Sequence, residues 1–358
     1  MRAMVLTGHG GMDKLVWHED WPKPVPGDED VLIRVAACGL NNTDVNTRTA
    51  WYSKGTGEAT TGEALEGVEE DDATWGGASI TFPRIQGADV CGVVEAVGAK
   101  APAALVGKRV LVDPWLRDWT DPLNMDRAGY YGSECDGGYA EYTVVDFRNV
   151  HPVESRMSDA ELASFATSYV TAENMLNRAA VKAGDRVLIP GASGGVGSAL
   201  IQLARRRGAT AIAMCSPAKE DSVRKAGADV VLPRAPKDLQ ASLLAATGHD
   251  TVTVVADVVG GPGWPSYIDA LARGGRYTCS GAIAGPIVSF DLRTFYLRDL
   301  TFTGATVVPP GTFGDLVGYI EAGELRPLVA ATYPLNELRA AQTAFIEKNH
   351  VGNIVVTI

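Results

Sequence analysis

The stretch from Val187 to Ala204 constrains the fold of this chain more than any other. It reads Val187-Leu188-Ile189-Pro190, then Gly191-Ala192-Ser193-Gly194-Gly195-Val196-Gly197, then Ser198-Ala199-Leu200-Ile201-Gln202-Leu203-Ala204. An apolar strand runs into a glycine-rich turn and out into an amphipathic helix. Gly194 gives the main chain room to approach a phosphate, and Gly197 lets the helix lie close on the strand. The helix N-terminus then offers N–H groups and a partial positive charge to an anion. Ala192 stands at the first glycine of the usual G-x-G-x-x-G, so the bare string is imperfect. The strand before and the helix after supply the context that the motif requires. The competing reading is a tight strand-to-helix turn that binds nothing.

Around that turn, strands and helices alternate. Strands are expected at 186–190, 211–215, 230–232, 252–256, 275–280 and 300–305, with helices at 195–207, 219–226, 237–246 and 264–271 between them. This predicts an α/β region with a doubly wound parallel sheet. Which nucleotide it takes follows from the tip of the second strand. A site for NAD places Asp or Glu there for the ribose hydroxyls. Here Cys215 is followed by Ser216-Pro217-Ala218-Lys219, with no acid at the tip. A hydroxyl and an ammonium suit a 2′-phosphate, so the predicted cofactor is NADPH. Its phosphates are expected on Gly191, Ala192, Ser193, Gly194, Gly195, Val196 and Gly197, with Ser216 and Lys219 as readers and Arg234 a weaker third. Lys219 as an ordinary solvated lysine is the alternative.

The first half of the chain has a different texture. Short strands are expected at Val31–Ala37, Gly92–Gly98, Arg109–Val112 and Tyr139–Val145, and Ser158-Asp159-Ala160-Glu161 has the form of a capping box opening a helix. Residues 53–80 are rich in Gly, Thr and acids, and 114–136 form a second loop carrying Trp115, Trp119, Tyr130 and Tyr131. The 32 Lys and Arg against 43 Asp and Glu leave a formal charge of −11, and no basic block offsets it. Nucleic acid and anionic membranes are therefore excluded as expected partners. The five cysteines are scattered with no C-x-x-C pair, which indicates neither a disulfide framework nor a zinc knuckle. Cys38 and Cys91 read as small core residues. The chain enters directly on a strand-like Met1–Leu6, with no apolar signal region and no spanning stretch, so a cytoplasmic location is expected.

In their order and spacing, several strings resemble the medium-chain dehydrogenase/reductases, and within them the zinc-free quinone oxidoreductase branch. They are Ala37-Cys38-Gly39-Leu40-Asn41-Asn42-Thr43-Asp44 with Arg48, Gly87-Ala88-Asp89-Val90-Cys91-Gly92-Val93-Val94, and Gly107-Lys108-Arg109-Val110. Gly137–Tyr142, the glycine turn, Lys225–Asp229 and His350–Val356 complete the set. The resemblance implies a GroES-like, partly barrel-shaped catalytic domain at 1–160 and 307–358, a Rossmann domain at 161–306, and an active site in the cleft. It also implies a homodimer formed by pairing of the last nucleotide-domain strands.

The resemblance bears on metal as well. Zinc-dependent relatives use a Cys, a His and a further Cys or acid at the positions that here hold Asn41, Ala88 and Thr167, and Asp89 replaces a second-shell Glu. Zinc needs Cys, His, Asp or Glu, so no metal is predicted. Without a Lewis acid, charge developing on a substrate oxygen must be met by hydrogen bonds. That suits reduction of a quinone or of a C=C bond conjugated to a carbonyl. Tyr52, which matches a tyrosine of the zinc-free branch, is the candidate donor, and Asn41 the candidate orienting amide. Each has a structural alternative: a packing tyrosine and a scaffold amide. Asp44 and Arg48 read as a scaffold ion pair. The 53–80 insert is a candidate lid, and Trp51, Trp75, Trp115 and Trp119 are candidate pocket walls or loop anchors. An alcohol/aldehyde dehydrogenase, or a weakly catalytic NADPH-binding sensor or interaction protein, remain as alternatives.

Overall fold

The structure is a computed structural model that describes residues 1–53, 55–60, 62–63 and 80–358. Trp75 and the 64–79 part of the acidic insert, including any role as a lid, lie outside the described residues. The chain divides into two units. The first comprises Met1–Thr56, Thr61–Thr167 and Pro309–Ile358, and the second Gly57–Thr60 and Ser168–Val308.

The first unit begins with β1 (Ala3–Leu6), β2 (Leu15–His18), β3 (Asp30–Leu40) and α1 (Asn42–Arg48). It continues through β4 (Asp89–Val97), β5 (Arg109–Val112), β6 (Trp115–Leu116), β7 (Gly129–Tyr130), β8 (Tyr142–Asp146), β9 (Val150–Pro152) and α2 (Asp159–Leu162). β3 organises this unit. One edge pairs with β4 along its length, while the other pairs with β8 through Asp30–Arg34. Register shifts between Leu32 and Ile33 and between Val35 and Ala37 bend it, as bulges do. Its apolar face, with Val31, Ile33, Val35, Cys38 and Leu40, enters a core shared with Val90, Val94, Val110 and Tyr139. Cys38 and Cys91 are both fully buried there. The loop after β5 is not bare: β6 and β7 form a small antiparallel hairpin with Trp115 opposite Tyr130. The capping box at α2 is present, with Ser158 Oγ accepting from Glu161 N–H and the Glu161 carboxylate accepting from Ser158 N–H.

Helix α3 (Ala166–Arg178) carries the chain into the second unit. There follow β10 (Arg186–Ile189), α4 (Gly195–Arg206), β11 (Thr210–Cys215), α5 (Glu220–Lys225), β12 (Val230–Pro233), α6 (Leu239–Thr247) and β13 (Val252–Asp257). The unit ends with α7 (Trp264–Asp269), β14 (Leu271–Cys279), α8 (Leu292–Leu297) and β15 (Thr301–Gly304). The strands form one six-stranded sheet in the order β12-β11-β10-β13-β14-β15, all parallel. The order reverses beside β10, and such a switch point opens a crevice at the carboxyl ends of the strands. α3 is tied to the segment after α4 by a bidentate pair, Arg207 to Glu173 at 2.6 and 3.0 Å.

The chain then returns to the first unit through α9 (Thr312–Glu321), β16 (Val329–Pro334), α10 (Leu338–Ile346) and β17 (Asn353–Thr357). β17 pairs antiparallel with the second half of β3, Ile354 opposite Leu40, and completes a seven-stranded sheet.

One close approach fixes the end of β3. A Cβ on Gly39 would lie 2.4 Å from the Ala163 carbonyl oxygen and 2.9 Å from Asp89 Cβ. Only a glycine lets this strand end, the carbonyl behind α2 and the start of β4 meet. Gly39→Ala is therefore expected to lower stability by roughly 2–3 kcal/mol through overpacking, read as a shifted midpoint in urea with an unchanged slope.

Candidate active site

Two clusters hold the residues that the sequence singled out, one in each unit. In the second unit, Gly191 leaves β10 with φ +68° and Gly194 caps α4 in extended conformation. The N–H groups of Gly195, Val196 and Gly197 precede the first intrahelical bond, which runs from Ser198 N to Gly194 O at 2.9 Å. They are the donors that a helix N-terminus leaves for an anion. A Cβ on Gly197 would sit 2.4 Å from Gly191 O and 2.6 Å from the Cα of buried Ala192, so α4 rests directly on its own turn. At Gly194 a Cβ would meet nothing nearer than Gly191 O at 3.7 Å. Protein packing does not demand glycine at that point, whereas a ligand approaching the main chain would. Ser193, Gly194, Gly195 and Val196 are only half-buried.

Sheet register assembles the other predicted cofactor residues. Cys215 stands opposite Pro233, so the chains leaving β11 and β12 bring Ser216 and Arg234 side by side. Ser216 opens a single 3-10 turn, Pro217–Lys219, closed by Lys219 N to Ser216 O at 3.0 Å. Partial burial, and then the charge of Arg234, lower the basicity of Lys219. Sequence reasoning missed Asp257 at the end of β13. It is fully buried and accepts from Val259 N at 2.7 Å, Gly260 N at 3.2 Å and Tyr277 Oη–H at 2.9 Å. It fixes the turn whose Val259 side chain borders Gly191. The Asp-x-x-Gly-Gly run that ends the strand was its only signal.

In the first unit, β3 delivers Asn41 to the N-terminus of α1. Its N–H donates to Asp44 Oδ2 at 2.8 Å, and its side-chain amide acts on the Asp89 carboxyl, favouring the charged form. Asp89 is 1% exposed. It accepts from Thr167 N at 2.9 Å and from the Thr167 hydroxyl, and that hydroxyl lies 2.6 Å from Tyr130 Oη. Burial raises the Asp89 carboxyl to about 6, against the hydrogen bonds from Thr167 and Asn41 that lower it. Of the three positions aligned with zinc ligands of relatives, Thr167 is hydrogen-bonded to Asp89 and Asn41 acts on the same carboxyl. The third, Ala88, has no ligating atom. Among the described residues no group of three or more His, Cys, Asp and Glu side chains is placed to hold a metal ion. Tyr130 was read from sequence only as a loop aromatic; nothing in its spacing announced a partner 37 residues away.

Tyr52 lies in the turn after α1, half-buried, with its ring edge-on to Trp51 at 5.8 Å. Its charge couples to that of Tyr130. The expected Asp44–Arg48 ion pair does not form. Asp44 instead takes hydrogen bonds from Asn41 N and, at 3.0 Å, from Tyr139 Oη–H. Arg48 donates to Gln342 Oε1 at 3.0 Å and to Gly10 O at 2.7 Å. Long-range partners outcompeted the pair one helical turn apart. Of the tryptophans, Trp115 is buried against Tyr130, and Trp119 lies 5.2 Å from the Arg148 guanidinium, so both anchor their loop.

Comparison with known proteins adds the following. The model of the alcohol dehydrogenase GroES-like domain matches residues 27–155, and that of the zinc-binding dehydrogenase matches 195–322. The chain is similar to the quinone oxidoreductase of Homo sapiens, 26% identical over 355 residues that span 97% of this chain and 94% of that protein. A solved structure from Sinorhizobium meliloti 1021, assigned to the alcohol dehydrogenases, is 45% identical with a TM-score of 0.89, covering 100% of this chain and 96% of that one. A 2-octenoyl-CoA carboxylase reductase, solved with NADP and 2-octenoyl-CoA, is 25% identical with a TM-score of 0.84, covering 99% and 87%.

Burial also raises the Asp44 carboxyl to about 7, against the hydrogen bonds from Asn41 and Tyr139. An unfolded Asp titrates near ~3.9, so the folded state binds the extra proton and stability falls as pH rises between about 4 and about 7. In Asp44→Asn that dependence is removed while Asp89 keeps its own. Denaturant melts of both proteins at the two ends of this window are expected to show the variant gaining on the wild type toward neutral pH, by on the order of 2 kcal/mol.

Proposed function

The chain belongs to the medium-chain dehydrogenase/reductase superfamily, and on that premise we propose that it is an NADPH-dependent enzyme reducing a quinone or an α,β-unsaturated carbonyl compound without a metal ion. The observation that carries this reading is the hydrogen-bonded pair of Asp89 and Thr167, with the Asn41 amide acting on the same carboxyl, built where relatives that use zinc place ligands. A carboxamide and a hydroxyl are poor zinc ligands, but they are good partners for a substrate oxygen.

The turn Gly191–Gly197 fits a dinucleotide pyrophosphate: the N–H groups of Gly195, Val196 and Gly197 precede the first intrahelical bond, and Gly194 leaves open the space that a side chain would fill. Ser216, Lys219 and Arg234 would hold a 2′-phosphate, with the two cations neutralising its charge and the hydroxyl completing its hydrogen bonds. The nicotinamide supplies a hydride when bound. Tyr52 donates its phenolic hydrogen bond to the substrate oxygen and the Asn41 amide orients it. Both stabilise charge as it develops, and in a quinone or enone that charge is delocalised and needs no Lewis acid. A saturated alcohol would have to lose its proton first, and among the described residues no cluster of His, Cys, Asp and Glu is placed to hold the metal ion that would assist it. The Sinorhizobium relative keeps alcohol or aldehyde dehydrogenation as the second reading.

A homodimer is part of the proposal. β15 ends the sheet, and Ile287, Leu292, Tyr296 and Leu297, in the segment of chain that leads into it, are all more than half exposed. Exposed apolar side chains in the segment that feeds an open strand edge suit a self-pairing interface. Sedimentation is expected to give a dimer, and Leu292→Lys with Leu297→Lys a monomer.

Turnover with quinones, enones and aldehydes, followed as NADPH oxidation, tests the central claim. Quinones or enones are expected to be reduced, chelator to leave the rate unchanged, and Tyr52→Phe to lower kcat/KM. Lys219→Ala and Arg234→Ala are each expected to weaken NADPH binding about tenfold while leaving NADH binding as it was. Equal losses for both nucleotides would remove the case for a 2′-phosphate. Tight NADPH binding with no turnover across the panel would point to a sensor, and a rate lost to chelator to the metal-dependent alternative.

A further inference from the structure

Four residues of the acidic insert, Gly57–Thr60, belong to the second unit, although the chain on either side of them belongs to the first. They lie against the loop that follows β14. Thr60 N donates to Ile283 O at 3.0 Å, and a Cβ on Gly285 would meet Gly57 O at 3.8 Å, an ordinary contact. Gly285 is buried, whereas Gly57 and Glu58 are exposed. The loop beneath this strap is itself seated on the turn after β13. Ile283 N donates to Val258 O at 3.3 Å, Ala284 N to Val259 O at 2.8 Å, and Gly261 N to Gly285 O at 3.0 Å. Gly261 has φ +65°, and a Cβ there would lie 2.5 Å from Ala284 O, so these two loops touch main chain to main chain. Val259 then reaches the glycine turn: a Cβ on Gly191 would lie 2.8 Å from Val259 Cγ2. β10, β13 and β14 are neighbours in the sheet, and the loops in question leave their carboxyl ends side by side. From Gly191 to Thr60 there is thus an unbroken run of close packing and main-chain hydrogen bonds.

We propose that Gly57–Thr60 is a cofactor-linked strap: a dinucleotide bound at Gly191–Gly197 holds it down, and the strap in return tightens the binding of the dinucleotide. This rests on the reading of that turn as the nucleotide site. Hydrogen bonds at a protein surface open locally, in cooperative groups. The strap lifts only when loop 281–285 and turn 258–261 loosen with it, and a form loosened around Gly191 does not bind nucleotide. A ligand confined to the closed form suppresses such opening by a factor of 1 + [L]/Kd. Linkage makes the effect mutual, because whatever factor the nucleotide adds to closure of the strap, closure adds to affinity for the nucleotide. The path begins at the pyrophosphate turn and passes neither Ser216 nor Arg234, so the strap responds to NADPH and NADH alike.

Hydrogen exchange on the wild-type protein tests this without any substitution. In the peptide that spans Gly57–Thr60, NADPH at ten times its Kd is expected to slow exchange about tenfold. NADH at ten times its own Kd is expected to do the same. Gly248–Asp250, which precedes β13 and so lies at the opposite ends of the strands, is expected to exchange as before. The reciprocal arm uses Thr60→Pro, which removes the N–H that Ile283 O accepts. Both nucleotides are expected to bind about fivefold more weakly to it, and equally so. Thr60→Ala keeps the N–H and is expected to bind like the wild type. Nucleotide bound with strap exchange unchanged, or a Thr60→Pro protein of wild-type affinity, overturns the strap and leaves the nucleotide site standing. A wild-type protein that binds neither nucleotide overturns the site and the strap with it.

Discussion

A carboxylate sealed from water organises the first unit. Stripping an ion of solvent is costly, and the cost is recovered only if its lone pairs find donors with good geometry. Asp89 finds them in the main chain and the hydroxyl of Thr167 at the start of α3, with the dipole of the Asn41 amide acting on it from the β3–α1 junction. Tyr130 joins through Thr167 from the small hairpin. Four segments distant in sequence are gathered this way. A coordinated ion would gather its ligands by charge, but hydrogen bonds gather by direction. Each donor therefore has a fixed line along which it must approach, and Gly39 is what clears that line behind β3.

The second unit meets its demands through the main chain. Parallel pairing sets the register of β10, β11 and β12, and the register alone decides which side chains stand at the carboxyl ends of the strands. The juxtaposition of Ser216 and Arg234 is a consequence of strand order more than of local sequence. Asp257 performs the same service for the turn after β13, where three donors close on one carboxylate.

Local order made this half legible in the sequence. The glycine turn and the strand–helix alternation depend on neighbours within a few residues, so periodicity announced them, as cap chemistry announced the Ser158 capping box in the first unit. The candidate site in the first unit was legible only in part. Asn41 and Tyr52 came from a resemblance to known proteins, while the partners of Asn41 lie on strands and loops that no spacing rule connects. Arg48, four residues after Asp44, suggested an ion pair. The pair fails because Tyr139 reaches Asp44 from 95 residues away and Gln342 reaches Arg48 from 294 away. Helical spacing shows which residues share a face, but tertiary packing decides what that face meets. Tyr130 sits in a stretch with turn-like composition, and its two-residue strand is too short to leave a periodic trace.

The shared edge of β3 has a temporal consequence. Its first half is paired by β8, but its second half, the part that leads into Asn41, waits for β17. All of Ser168–Val308 is synthesised between those two partners. On the ribosome, the nucleotide-binding half can therefore close as a continuous piece of chain while the half that carries Asn41 still has an open strand edge. That edge is an unpaired template during the interval, and chaperones or aggregation would act there first.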